Sequence, residues 1–254
     1  MVILAVLTWQ QCGYWKNNLG LFDHALRVTK DNDLAHNNFG LALFAEGKIE
    51  EAVDHYNKAI SIRRDYVLSY YNRGNAYVKL GQYKRALEDY NESISLKPDL
   101  AEGYYNRGNA YLKLGQYQSA IEDYNKAVVR NPDYIKTYNN RGITYGKLGQ
   151  YQRAIENFDE IIHLQPDYAY AYYNRGFAYA KLRQYQRAIE DYSKAIVLNP
   201  AYIKAYYNRG ITYGELGQYQ RAIEDFNKAI RLKPDYEEAH RGLRLVLEKE
   251  QQKR

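Results

Sequence analysis

Four pairs of adjacent acids, Glu88-Asp89, Glu122-Asp123, Glu190-Asp191 and Glu224-Asp225, are the residues of this chain that could do general acid–base work. Two carboxylates held close together push their pKa values apart, which separates an acid from a base. An active site needs one such constellation, yet here the same pair recurs at a fixed interval. Recurrence answers a repeated structural need, so no catalytic residue is expected. The five histidines, His24, His36, His55, His163 and His240, are scattered without His-x-x-x-His spacing, and Cys12 is the only cysteine. Neither a metal site nor an intrachain disulfide is expected. No glycine-rich phosphate loop occurs, because the glycines of the Asn-Arg-Gly steps sit inside helical patterns as packing residues; no cofactor is expected. Lys79, Lys113, Lys147 and Lys181 share one repeat position and form a row that could meet phosphate. Interleaved Glu and Asp dilute that row, and the net charge of +6 comes with charges of both signs, so nucleic acid is not indicated.

The elements that carry these residues repeat. All five prolines, Pro98, Pro132, Pro166, Pro200 and Pro234, lie 34 residues apart, and that frame cuts the chain into six units: 33–66, 67–100, 101–134, 135–168, 169–202 and 203–236. In the unit 101–134, Asp99 followed by Glu102 predicts a capping box and a helix A starting near residue 100. Gly115, a residue type that accepts the left-handed conformation, predicts its end. Ala120, Ile121, Tyr124, Ala127 and Val128 then recur at three- and four-residue spacing and predict a helix B, which Pro132 stops. Gly108 and Ala120 have counterparts in every unit and let the two helices approach closely. A lone hairpin of this size cannot bury both faces, so its neighbours must stack. With 30 Tyr against 6 Phe, the expected core has one wet edge.

Tyr104, Gly108, Tyr111, Ala120, Tyr124, Ala127 and Pro132 resemble the tetratricopeptide-repeat pattern, which recurs through residues 33–236. The first unit departs furthest, with His36 at the aromatic position and Arg64 in place of Pro. The resemblance implies an all-α solenoid of stacked antiparallel helix pairs forming a right-handed superhelix, and a non-catalytic module that binds proteins or peptides. Residues 1–32 are expected to hold an apolar segment and a degenerate half repeat, with Trp15, Phe22, Ala25, Leu26 and Val28 on its helix B. Residues 237–254 are expected to form a capping helix with Ala239, Leu243, Val246 and Leu247 in one narrow stripe. Residues 8–26 also resemble the junction of bacterial membrane glycosyltransferase-like proteins that carry C-terminal repeats. That likeness implies an alternative role as the accessory domain of such an enzyme, with Val2 to Trp9 as the end of a membrane helix; the other reading packs this segment under the first repeat. Compartment and oligomeric state stay open.

In the repeat family, positions 2, 5, 6, 9 and 13 of helix A line the concave groove. Position 6 is Asn38, Asn72, Asn106, Asn140, Asn174 and Asn208; position 5 is Tyr71, Tyr105, Tyr173 and Tyr207 in four units, and Asn37 and Asn139 in the others. Lys136 and Lys204 stand at position 2. A carboxamide offers a donor and an acceptor, the complement of a peptide unit, so a row of them can hold an extended backbone. The row resembles the asparagine ladder of O-linked N-acetylglucosamine transferases. The alternative is that these side chains satisfy neighbouring helices or face water. Against the two-carboxylate clamp of heat-shock co-chaperones, Asn75, Asn106 and Lys136 match, but Tyr71 and Asn140 replace two cations, so strong binding of a C-terminal carboxylate is not expected.

Position 7 carries Arg73, Arg107, Arg141, Arg175 and Arg209, and position 23 on helix B carries Asp89, Asp123, Asn157, Asp191 and Asp225. The unit without the Arg has Phe39 and lacks the acid, having His55. This pattern predicts pairing between the two helices of each unit. Arg183 stands where Gly47, Gly81, Gly115, Gly149 and Gly217 end helix A.

Overall fold

The computed structural model describes residues 18–253, and these fold into two compact units, residues 18–131 and 132–253. Every element among the described residues is an α-helix. The first unit holds α1 (Asn18–Val28), α2 (Asp33–Ala45), α3 (Ile49–Ile62), α4 (Val67–Lys79), α5 (Tyr83–Leu96), α6 (Ala101–Lys113) and α7 (Tyr117–Arg130). The second holds α8 (Ile135–Lys147), α9 (Tyr151–Leu164), α10 (Ala169–Lys181), α11 (Tyr185–Leu198), α12 (Ile203–Glu215), α13 (Tyr219–Leu232) and α14 (Glu237–Lys253). Within each unit every helix A packs on its own helix B, and helix B packs on the next helix A, as in α4 with α5 and α5 with α6.

The approach of A to B is set by glycine against an aromatic ring. A Cβ on Gly74 would lie 2.7 Å from Cε1 of Tyr90, and one on Gly108 2.7 Å from Cε1 of Tyr124. Both rings are fully buried, as is Tyr56 against Gly40. Only a residue without Cβ lets such a ring lie flat on the facing helix.

Helix A ends as its sequence indicates. At Gly115 φ is +74°, the Gly115 N–H donates to Leu112 O at 3.2 Å, and the Gln116 N–H donates to Tyr111 O at 2.9 Å, closing a Schellman motif. Arg183 makes the same turn at φ +59°. The start of helix A differs from the expected one. Leu100, not Asp99, is the N-cap: its carbonyl accepts the first helical N–H groups, from Gly103 and Tyr104, and its own N–H closes a turn onto Lys97 O at 3.2 Å. Asp99 lies inside that turn, one residue too early for a capping box. A side-chain cap does occur at α2, where Asn32 Oδ1 accepts from the Ala35 N–H at 2.8 Å.

At the ends, α1 rests Leu19 on the core around Leu43 and Tyr56, with Phe22, Ala25 and Leu26 half-buried, while Val28 is exposed. The segment Val2 to Trp9 and Trp15 lie outside the described residues. Helix α14 covers Phe226 with Gly242, Leu243 and Val246; Leu247, expected in the same stripe, is 39% exposed instead. Among the described residues no helix is long and apolar enough to cross a membrane.

Candidate functional site

The position-6 asparagines are half-buried on helix A, and each compact unit carries three of them. Their amide nitrogens tie adjacent repeats together. Asn72 Nδ2 donates to Asn37 Oδ1 at 3.0 Å, Asn106 Nδ2 to the Tyr71 hydroxyl at 2.8 Å and to Asn75 Oδ1 at 3.0 Å, and Asn208 Nδ2 to the Tyr173 hydroxyl at 3.0 Å. In each case the acceptor stands at position 5, or at position 9, of the preceding repeat. Asn37 is itself buried, accepts a second bond from Ser69 Oγ, and donates to Asn38 Oδ1 at 3.3 Å. Asn139 donates to Asn140 Oδ1 in the same way at 3.2 Å.

The carboxamide oxygens are used differently. Oδ1 of Asn72, Asn106 and Asn208 has no hydrogen-bond partner among the described residues, and the Nδ2 bond fixes which way it faces. Where position 5 is Asn in the second unit, the tie is open: Asn174 Nδ2 and Asn139 Oδ1 are buried without a partner. A buried donor and acceptor left unmade cost about 1–3 kcal/mol each, so this spot favours a bridging water or a ligand amide.

The position-5 tyrosines lie tilted against the position-24 ring of their own unit, with centroids 6.2 Å apart for Tyr71–Tyr90, 6.2 Å for Tyr105–Tyr124, 6.0 Å for Tyr173–Tyr192 and 5.9 Å for Tyr207–Phe226. Burial pushes the Tyr71 and Tyr173 hydroxyls above the ordinary phenol range, so both stay protonated at neutral pH. Lys136 and Lys204 are exposed in the first turn of α8 and α12.

The paired acids divide between two fates. Asp89, Asp123, Asp191 and Asp225 are buried, each gripped by the guanidinium of its own helix A, while Glu88, Glu122, Glu190 and Glu224 are exposed. Arg175 holds Asp191 with Nε at 2.8 Å and Nη2 at 2.7 Å, and Arg209 holds Asp225 at 2.8 Å by both. Arg141 makes one bond to Asn157, at 2.7 Å. Burial pushes the carboxyls of Asp89, Asp191 and Asp225 up, against the pull of the guanidinium. Sequence reasoning missed the third contact: Nη1 of Arg73, Arg107, Arg175 and Arg209 donates to Asn57, Asn91, Asp159 and Ser193 on helix B of the preceding repeat, at 2.6 to 2.8 Å. The signal was a polar residue two places after each position-23 acceptor. The first unit, lacking the Arg, sets His36 Nδ1 3.1 Å from His55 Nδ1 instead. Among the described residues no group of three or more His, Cys, Asp or Glu is placed to hold a metal ion.

Family models described as TPR repeat match residues 40–81 and 74–115, and those described as tetratricopeptide repeat match 101–134, 135–168, 169–202 and 203–236. The search among curated proteins gave no match. Of the solved structures, the C-terminal part of a TPR repeat-containing protein from Cytophaga hutchinsonii aligns with a TM-score of 0.76 at 17% identity, covering 96% of this chain and 99% of that one. A tetratricopeptide repeat protein from Parabacteroides merdae aligns at 0.61 and 25% identity, covering 90% of each chain. YrrB, described as a TPR protein with an unusual peptide-binding site, aligns at 0.65 and 24% identity, covering 74% of this chain and 97% of that one. The glycosyltransferase likeness of residues 8–26 is not borne out by these matches, whose family models begin at residue 40.

Proposed function

The chain belongs to the tetratricopeptide-repeat family, and from that premise we propose that it is a non-catalytic scaffold whose helix-A face binds a partner protein through an extended segment. The observation that carries this reading is the oriented, unpaired Oδ1 of Asn72 and Asn106 in the first unit and of Asn208 in the second, where Asn139 Oδ1 and Asn174 Nδ2 are also without a partner. Acceptors fixed in direction suit the N–H groups of an extended backbone, whose positions depend little on its side chains. The flanking tyrosines add flat contact area at low entropic cost, and Lys136 and Lys204 add positive charge at the rim. The residues proposed to hold the segment are therefore Asn38, Asn72, Asn106, Asn140, Asn174 and Asn208, with Tyr71, Tyr105, Tyr173, Tyr207, Lys136 and Lys204.

The test is site-specific photocrosslinking. A photoreactive residue at Lys136 or Lys204, both exposed, is expected to capture a protein partner that the same group at Glu122 or Glu190 on helix B does not. Equal capture from both sets of positions would place recognition elsewhere on the molecule.

A further inference from the structure

In a solenoid the repeated residues serve stacking, so a cluster that breaks the period points to something else. One such cluster lies in the second compact unit, where α10 and α12 meet the turn after α11. Position 2 of helix A is Leu34, Leu68, Glu102, Lys136 and Lys204 in five units, but Tyr170 in the remaining one, where it is 38% exposed. Tyr170 stands 6.1 Å from Tyr168 and 6.3 Å from Tyr173, and Tyr173 stands 4.9 Å from Tyr202, all between ring centroids and all tilted. These rings wall a cleft of about 630 Å³, completed by Asn199 and Lys204.

The cleft offers tyrosine hydroxyls, which donate and accept, together with an amide and a cation. The hydroxyls of Tyr168, Tyr170 and Tyr202 have no hydrogen-bond partner among the described residues, and burial raises the Tyr202 hydroxyl far above the ordinary range, so it keeps its proton. Asn199 Oδ1 is occupied by the Ala201 N–H at 3.1 Å, which leaves its Nδ2 to donate. Lys204 adds a cation, and no carboxylate lines the cleft. A ligand that matches brings acceptors for the Asn199 amide and Lys204, apolar rings for the aromatic walls, and negative charge for the cation. Proline supplies the first two: its carbonyls in the polyproline conformation are unbonded within the chain, and its ring stacks on aromatic walls. Asp or Glu supplies the charge.

Resting on the scaffold reading above, we propose that this cleft is the specificity pocket of the second unit and takes a proline-containing, acidic segment of a partner protein. The exposed faces of the tilted tyrosines give the pyrrolidine rings an apolar surface to stack on, and Lys204 pairs with a neighbouring carboxylate at the rim.

The experiment is selection of random peptides displayed on phage against the full chain, repeated with Tyr170→Ala and Lys204→Glu, whose melting temperatures are checked first. Enrichment of proline together with Asp or Glu is expected on the unsubstituted protein. For a selected peptide made synthetically, fluorescence anisotropy is expected to show Kd rising about tenfold with Tyr170→Ala. Lys204→Glu should turn the selection away from acidic sequences. Enrichment of aromatic or basic peptides without proline, or a Kd that neither substitution changes, would overturn the proposal. So would a dimer of this chain that Tyr170→Ala dissolves, since a second copy would then be the occupant. Peptides of the wrong class that still crosslink at Lys136 would remove the pocket assignment and leave the scaffold standing. The absence of both enriched peptides and crosslinks would remove both.

Discussion

Arg107 and Asp123 are joined by two bonds of 2.7 Å, from Nε and Nη2 to the two carboxylate oxygens, and the remaining Nη1 reaches Asn91 of the preceding repeat at 2.7 Å. One side chain thus fastens its own hairpin and, in the same plane, the hairpin before it. The carboxylate is almost wholly buried, and the guanidinium is shielded by the Tyr104 ring 5.5 Å away. Removing one partner strands the other charge in a dry site, so Asp123→Ala is expected to cost about 3–5 kcal/mol. Arg107→Leu with Asp123→Leu should recover most of that loss. Chemical denaturation of the single and double variants checks it; equal losses in both would mean that the pair itself, and not the stranded charge, carries the effect.

Two helical glycines separate packing from conformational cost. Gly108→Ala would push a methyl to 2.7 Å from the buried Tyr124 ring and 3.3 Å from Ala120 O, and overpacking of this kind costs about 1–3 kcal/mol. Gly146, near the end of α8, has nothing within 4 Å of its added Cβ. There Gly146→Ala is expected to stabilise by about 0.5–1 kcal/mol, because alanine loses less backbone entropy on helix formation. Thermal melts of the two variants should move in opposite directions.

The buried ring at position 24 follows position 9 of helix A in four of the six units. Tyr90 donates to Asn75 Oδ1 at 2.7 Å and Tyr124 to Asn109 Oδ1 at 2.8 Å, while Phe158 and Phe226 face units with Ile143 and Ile211 at that place. Tyr56 and Tyr192 break the pairing, with Leu41 and Phe177 at position 9, and the buried Tyr56 hydroxyl has no partner among the described residues. Tyr56→Phe is therefore expected to stabilise by about 1–3 kcal/mol, the cost of an uncompensated buried hydroxyl. Tyr90→Phe should destabilise by about 1 kcal/mol through its lost hydrogen bond. Calorimetric melts that shift the same way for both would contradict this.

The fold was legible wherever a residue type acts on its own backbone. Proline stops helix B, and glycine at +74° stops helix A, because φ is a local quantity. The Asp99 cap was misread because an acid with a Glu three residues on fits the pattern in a register that the Pro98 turn excludes. Among the site residues, the Arg–Asp pairs were legible from one observation: the unit that lost the Arg also lost the acid. The Nη1 bonds to Asn57, Asn91, Asp159 and Ser193 were not, since only stacking brings a preceding helix B within reach. For the same reason the sequence left open whether the asparagines serve structure or recognition. The geometry divides the carboxamide: its nitrogen stacks repeats at Asn72, Asn106 and Asn208, while its oxygen is unpaired.

That division changes what mutation of the row should do. A combined Asn72→Ala and Asn106→Ala variant removes three inter-repeat bonds along with the free acceptors. Each net bond is worth about 0.5–1.5 kcal/mol, so a measurable loss of melting temperature is expected beside any loss of binding. A variant with an unchanged melting temperature would show that these bonds do not hold the repeats.

Arg183 tests a turn in isolation. It holds φ at +59° where five other units place glycine at +69° to +80°. A side chain in this region costs about 1 kcal/mol, so Arg183→Gly should raise the melting temperature slightly. A clear fall would reveal a stabilising contact of the guanidinium that outweighs the strain.

The first repeat should carry a pH dependence that the other repeats lack. His55 is packed edge-on to Phe39, with centroids 4.5 Å apart, and its Nδ1 faces that of His36. Burial, then His36, then Lys58 lower its pKa to about 4, against a smaller opposite pull from Asp54; burial and Lys58 lower that of His36 as well. Both groups are thus depressed in the folded state relative to the ordinary value of 6.5. Above 6.5 both states hold neutral imidazole at His55 and the folded state has no handicap. As pH falls from 6.5 toward about 4, the unfolded chain takes up a proton that the folded chain refuses, and stability is lost through that window. His55→Asn, which copies the uncharged acceptor of Asn157, should flatten this part of the profile, and because the two proteins share every carboxylate, the difference between their profiles isolates the imidazole. Proton NMR of the His55 ring is the direct check. A midpoint near 6.5 would mean that the ring is solvated and that the first repeat gains nothing from keeping it neutral.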